Sequence, residues 1–502
     1  MHRSIATRCA LSPFIKCLAL LIACASPAAG DAADVFSRLR SAVAKAERAD
    51  CRGSLKLIIA ATAEAEFATV NAAGRDAIHG IGALCALQLG DNDTAYRFAF
   101  EATQSNRSTA QLWRIRFSHQ LRLKAYSDAV ASVEAMGSRH VEALDSVPIR
   151  WLYLLNDDLG KLPDKALQRR LLDVLAGSAY RPDEVMATND GFKLKLAPLL
   201  LDEGKQSSAA ALVSSMVEPD ALVAVSLDLR LRTLLPADFS VRMAMERRLE
   251  QARSSVATHA DSMSAVLDMA DLLRRLGRVE ESLAVLEAAG PVGPRTAIFS
   301  DLDKQRNWWW DAVARAQERL GHYEKAVAAY REGIAAKEGG TPNVSQTINL
   351  GHAHLRFGYP ERAIAAVAVF EKGKYEASPY GLMEMRLVRG CAHAALGNGA
   401  AVKAEIAYVT EHERDHPEAL TDLLLCTGDM EGAAAAMIRR LDDPERRPGA
   451  LLQLSDYDPP VATFPLVPFE SKFAELAVRA DVMMAIKRAG GTCRFHLQAA
   501  EL

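Results

Sequence analysis

Short interruptions recur along this chain at nearly even intervals, and that recurrence restricts its folding more than its composition does. Between 261 and 441 the sequence reads as MSAVLDMADLLRRLGRVEESLAVLEAAG, WWWDAVARAQERLGHYEKAVAAYREGIA, SQTINLGHAHLRFGYPERAIAAVAVFEKG, EMRLVRGCAHAALGNGAAVKAEIAYV and TDLLLCTGDMEGAAAAMIRRL. Inside each run the apolar residues fall three and four apart, which is the spacing of one helical face. Gly277, Gly321, Gly358, Gly397 and Gly428 break the runs. Glycine there takes the left-handed conformation that ends one helix and lets the chain reverse within a few residues. Small residues occupy most of the places where the two helices of a pair would cross most closely: Ala270, Ala314, Gly351 and Gly390 before the turns, Ser282, Ala326, Ala363, Val402 and Ala433 after them. Larger ones, Trp310, Val313, Tyr323 and Tyr330, fall on one seam around Gly321. One such pair cannot bury its own apolar face, whereas a stack of pairs can. Alternating apolar and polar runs are nearly absent, so the pattern predicts an all-helical protein.

Two weaker units precede these. IHGIGALCALQLGDNDTAYRFAFEA turns at Gly90, and LWRIRFSHQLRLKAYSDAVASVEAM turns at Lys124. Residues 138 to 260 are less regular, with one further divergent pair turning at Gly204. Beyond 441 the composition shifts to Pro and Asp, followed by two short helical stretches near 469 to 479 and 481 to 489 and a tail, TCRFHL, suited to an extended conformation.

The unit formed by Trp310, Ala314, Gly321, Tyr323, Ala326 and Tyr330 resembles the tetratricopeptide repeat almost throughout. The units at Gly277 and Gly358 match well, and those at Gly397 and Gly428 are degenerate. The resemblance implies an all-α, helical-hairpin solenoid, a right-handed superhelix, with a divergent helical middle and a C-terminal cap. The expected division is a leader over 1–30, N-terminal repeats over 31–137, the divergent middle over 138–260, the main array over 261–441 and the cap over 442–502. The glycine intervals of 44, 37, 39 and 31 scatter around the family's usual repeat, which implies longer connections, notably from Pro291 to Asn307.

The leader is read from its order of residues. Arg3, Arg8 and Lys16 precede the apolar run Cys17 to Ala25, and small residues follow, the arrangement of a secretory signal whose greasy part is too short to span a bilayer. Cleavage would release a periplasmic or secreted bacterial protein with no later transmembrane segment. Leu21-Ile22-Ala23-Cys24 also resembles a lipoprotein box, which would leave a lipid anchor on Cys24. Three of the 60 basic groups lie in these thirty residues, which hold no acid, leaving 57 basic against 63 acidic groups in the rest. Nucleic-acid binding by bulk charge is therefore not expected. Outside the leader stand Cys51, Cys85, Cys391, Cys426 and Cys493. Five is odd, so at least one lacks an intramolecular mate. Cys51 and Cys85 lie 34 apart, Cys391 and Cys426 35 apart. Because equivalent positions on packed helices sit roughly 8–10 Å apart, both pairs read as buried free thiols rather than disulfides.

Catalytic patterns are missing: there is no G-x-S-x-G elbow, phosphate loop, H-E-x-x-H or C-x-x-C. His352 and His354, two apart on a helix, point nearly 200° away from each other and cannot share a metal. No catalytic residue, metal or cofactor is expected, and the chain reads as a non-enzyme; a hydrolase would need acids of the middle segment to converge in a pocket. What the resemblance implies instead is a groove lined by the first helix of each repeat, which receives a protein or peptide partner. Counting back from the turns places Arg275, Arg319 and Arg356 in one row, with Arg122 at the matching place in the N-terminal repeats, and Arg315 and His352 in a second. Guanidinium groups one repeat apart are suited to carboxylates along a partner, although a helix C-terminus favours arginine through its dipole alone. Trp308 should face the groove as an anchor, Trp310 belongs to the packing seam, and Trp309 should be partly exposed. The function expected is that of an exported scaffold or adaptor in envelope assembly or secretion. The alternative is a module that binds polysaccharide or another anionic ligand through the arginine row and Trp308.

Overall fold

Gly90, Gly204, Gly277, Gly321, Gly358, Gly397 and Gly428 all adopt φ between 73° and 79°, and Lys124 adopts 54°. Every turn read from the sequence is therefore a left-handed residue between two helices. These observations come from a computed structural model, which describes residues 31–290, 298–336, 343–372, 377–459 and 469–498. The leader, with Cys24, and most of the first half of the Pro291–Asn307 connection lie outside the described residues. The chain divides into two compact units, up to Leu196 and from Ala197. The division falls within the segment read as divergent, inside the helix Asp190–Asp202.

The first unit pairs α1 (Asp31–Glu47) with α2 (Cys51–Thr62), α3 (Ala72–Gln88) with α4 (Asn92–Ala102) and α5 (Ala110–Arg122) with α6 (Tyr126–Arg139). After these come α7 (Val141–Asp145), α8 (Ile149–Gly160) and α9 (Ala166–Leu175). Asp50, Asn71 and Asp91 cap α2, α3 and α4, each accepting from a backbone N–H three residues on. Such a cap contributes about 1 kcal/mol. Val35, Leu39, Ile58, Ile78, Phe98 and Ala99 form a continuous buried core across these pairs.

The helix Asp190–Asp202 is α10; after it the second unit runs through α11 (Gln206–Ser214), α12 (Pro219–Leu227) and α13 (Val241–Thr258) into the array. The array consists of α14 (Met263–Arg275) with α15 (Val279–Ala289), α16 (Leu302–Arg319) with α17 (Tyr323–Ala335), α18 (Val344–Arg356) with α19 (Pro360–Val367), α20 (Pro379–Ala395) with α21 (Gly399–Glu411) and α22 (Ala419–Thr427) with α23 (Met430–Asp442). First helices α14, α16, α18, α20 and α22 lean on one another in succession, and each second helix packs on the next first helix. Close approach is where the small residues matter. A methyl at Gly351 would sit 2.9 Å from Val388, and one at Gly390 would overlap Leu423. Ala270, Ala314, Ala326, Ala363 and Ala433 are all buried, and Ser282 donates to the Ala270 carbonyl at 2.6 Å. Trp309, Val313, Tyr323 and Tyr330 belong to the core of the central pairs.

Three details depart from the sequence reading. Trp309 is the most buried of the three tryptophans, 5% exposed, and donates from Nε1 to the Leu286 carbonyl at 2.9 Å. It falls seven after Leu302 and four before Val313, on the same inward face. Cys391 and Cys426 form a disulfide with Cα atoms 5.2 Å apart. The free-thiol reading fails here because Gly390 lets α20 and α22 come closer than ordinary packed helices. Cys51, Cys85 and Cys493 remain free. The third departure is at the C-terminal end. After α24 (Arg447–Leu454), a 3-10 turn at Glu470–Lys472, α25 (Phe473–Ala477) and α26 (Ala480–Ala489) pack on or beside α23. Strands β1 (Asp456–Asp458) and β2 (Arg494–Gln498) then pair in parallel, a small sheet in an otherwise helical chain among the described residues. The strands do not simply cover the last hairpin: β2 packs on α13 and α14, near the start of the unit.

Candidate functional site

The first helices of the array carry a line of polar side chains that touch from repeat to repeat. On α16, Asp311 accepts from Arg315 Nε at 2.7 Å and from Asn349 Nδ2 of α18 at 2.7 Å. Two turns further, Arg356 of α18 donates from Nη1 to Glu318 at 3.1 Å and from Nη2 to Glu470 at 3.2 Å. Between α18, α20 and α22 the central group is Glu384. Its Oε2 meets His352 Nε2 at 2.9 Å, while Oε1 meets His416 Nε2 at 2.8 Å and accepts from the Tyr380 hydroxyl at 2.9 Å. His416 also meets Glu418 through Nδ1 at 3.1 Å. Glu418 accepts from Arg440 Nη2 at 3.0 Å, and the same fully buried guanidinium reaches Gln453 at 2.6 Å.

Electrostatics follow from this crowding. Burial would raise the Glu384 carboxyl, but the imidazoles of His352 and His416 outweigh it and hold the group well below the usual carboxylate range. Burial likewise opposes the charge on His416, yet Glu384 and Glu418 push that imidazole up to about 9. Asp422, buried beneath them, goes the other way. Desolvation dominates, Arg440 and His416 only partly offset it, and its carboxyl is raised to about 7. His354, two residues from His352, points into the hairpin seam, where its Nδ1 meets the Tyr323 hydroxyl at 2.9 Å and burial lowers it to about 4. The two histidines thus face different neighbours, as their spacing requires.

Of the residues singled out in the sequence, Arg275, Arg315, His352 and Arg356 are paired inside the protein. Arg275 pairs with Asp220, and its neighbours Tyr457, Phe495 and Leu497 enclose with it a cavity of about 230 Å³. Arg315 holds Asp311, His352 holds Glu384 and Arg356 holds two carboxylates. Arg319 is buried, 5% exposed. In the array Trp308 stands out from the surface, at 38% exposure. Arg122, in the first unit, pairs with Asp93 at 2.9 Å. The arginine row is therefore not an open basic strip.

The network around Glu384 was not read from the sequence. A signal was present: His352, Glu384 and His416 are spaced by 32 and 32 residues, the first two on successive first helices and the third in the connection just before α22. Chemically the arrangement ties helices together. Both Glu384 oxygens are engaged by imidazole or phenol groups, and among the described residues no three His, Cys, Asp or Glu side chains are placed to hold a metal ion. No helix among them is long and apolar enough to cross a membrane.

A stack of helical hairpins with left-handed turn residues and a polar ladder on its first helices is the architecture of a repeat scaffold. Residues 310–339 match the tetratricopeptide repeat family. Solved structures similar to the chain include the crystal structure of the APC/C hetero-tetramer Cut9-Hcn1, with 13% identity and a TM-score of 0.29 over 91% of this chain and 90% of that one. The apo form of RapI gives 9% identity and a TM-score of 0.31 over 91% and 99%. Naa15/Naa10 bound to HypK-THB gives 11% and 0.29 over 90% and 80%. No curated protein sequence matches the chain.

Proposed function

We infer that the protein is an exported scaffold that holds a segment of a protein partner against the first helices of its 261–441 array, in cell-envelope assembly or secretion. The observation that carries the binding role is Trp308. It sits on α16 beside two tryptophans that pack inward, yet keeps 38% of its surface exposed. An exposed tryptophan on a rigid helix is the type of side chain that anchors interfaces. Export has two supports, the basic, apolar and small order of the first thirty residues and the Cys391–Cys426 disulfide, a bond that persists in oxidising compartments. Polysaccharide or other anion binding through the arginine row has less support, since Arg275, Arg315 and Arg356 already hold internal carboxylates.

Site-specific photo-cross-linking tests the reading. A benzophenone amino acid placed at position 308 should give a discrete adduct with a protein in intact cells, and one placed at the exposed Val217 should not. Recovery of the 308 variant in the cytoplasmic fraction, or identical adducts from both positions, would sink it.

A further inference from the structure

The places two residues before the turn glycines, read above as seats for a partner's carboxylates, are covered by the chain itself. Glu470 Oε1 accepts from Arg356 Nη2, and two residues later Lys472 Nζ donates to the Leu425 carbonyl at 2.8 Å, in the last turn of α22. Tyr457, Phe495 and Leu497 close over Arg275. Further along, Arg232 and Arg242 donate to the carbonyls of Gly490 and His496 at 2.7 and 2.9 Å, and Cys493 Sγ contacts the Ser226 carbonyl at 3.4 Å. A side chain at Gly490 would strike Leu229. A carboxylate on a guanidinium and an ammonium on a helix C-terminal carbonyl are both charge-assisted contacts that a carboxylate or ammonium from another chain could equally make.

The two carboxylates on Arg356 are not equivalent. Glu318, on the array itself, has a side chain only 2% exposed, whereas Glu470 keeps 29% of its side chain open to water. The outer position can exchange with a carboxylate from solution without disturbing the inner pair. The 3-10 turn and five-residue helix that carry Glu470 are too short to be stable alone, so these contacts hold them in place.

We propose that residues 469–473 are a built-in competitor, and that the partner is an acidic peptide segment whose carboxylate takes the place of Glu470 on Arg356. The partner half of this rests on the scaffold reading; the competitor half does not. The probe is a fluorescein-labelled peptide with the sequence of residues 469–479, titrated into the full chain and followed by anisotropy. Wild type, whose seat is filled, should bind it weakly. Glu470→Lys should bind it roughly tenfold more tightly, the effect of about one ion pair of 1.4 kcal/mol. A peptide carrying Gln at the Glu470 position should lose that gain. The charge swap Arg356→Glu with Glu470→Arg, checked by circular dichroism for wild-type helix content, should bind as weakly as wild type. Equal affinity for wild type and Glu470→Lys, or tight binding by the charge swap, overturns the competitor. If Glu470→Lys gains the peptide but position 308 cross-links no protein, the scaffold reading fails and the competitor stands.

Discussion

Replacing Asp422 with asparagine removes one negative charge from the most enclosed part of the polar ladder and changes little else. The carboxyl faces Arg440, His416, Glu384 and Glu418, and its Oδ1 has no hydrogen-bond partner among the described residues. Unfolded, the group gives up its proton near its ordinary value of 3.8; folded, it does so near about 7. Between those values the native state binds more protons than the unfolded state, so stability falls as pH rises from one to the other. The gap corresponds to about 4 kcal/mol, already in force at about pH 8 and reduced to about 1.5 kcal/mol at about pH 5. Asp422→Asn should abolish that slope. Urea unfolding followed by circular dichroism should show the variant gaining several times more stability over wild type at the higher pH than at the lower. Parallel curves for the two proteins over this range would refute the argument that burial, rather than the neighbouring cations, governs this group.

His416 titrates with the opposite sign. Its raised value means that its contribution is fully present below 6.5 and lost as pH climbs through about 9; the loss is about 3 kcal/mol, and His416→Gln should flatten the alkaline limb of the urea midpoints. Replacing Cys391 and Cys426 together with serine opens a crosslink that spans 35 residues and should cost about 3–4 kcal/mol, matched by adding a reductant to wild type. Trp309→Ala should cost about 3–5 kcal/mol, the range for emptying a buried aromatic site, and Trp308→Ala less than about 1 kcal/mol; thermal unfolding that ranks them the other way would contradict their assigned places.

The turns were legible because a left-handed residue is a local demand, and Gly277, Gly321, Gly358, Gly397 and Gly428 meet it without reference to the rest of the chain. Helix pairing followed from the same signals, and the extended tail at 494–498 from its composition. What failed depended on distances between helices. The Cys391–Cys426 bond exists because Gly390 has no side chain to hold α20 away from Leu423, a consequence visible only once the helices are placed. Trp309 was misplaced because the family's aromatic position at 310 was followed instead of the intervals to Leu302 and Val313. The partners of Arg275 and Arg356, namely Asp220, Glu318 and Glu470, were not legible because they come from other elements, the last of them 114 residues from Arg356.

The return of the tail to α13 has a mechanical consequence. Stacked repeats ordinarily unzip from their ends, because each hairpin is held only by its neighbours. In the second unit the last described residues are fastened to Ser226, Arg232 and Arg242, upstream of the first array hairpin. Fraying at one terminus must therefore break bonds made by the other, and force or heat applied to this unit should produce one abrupt collapse instead of a staircase.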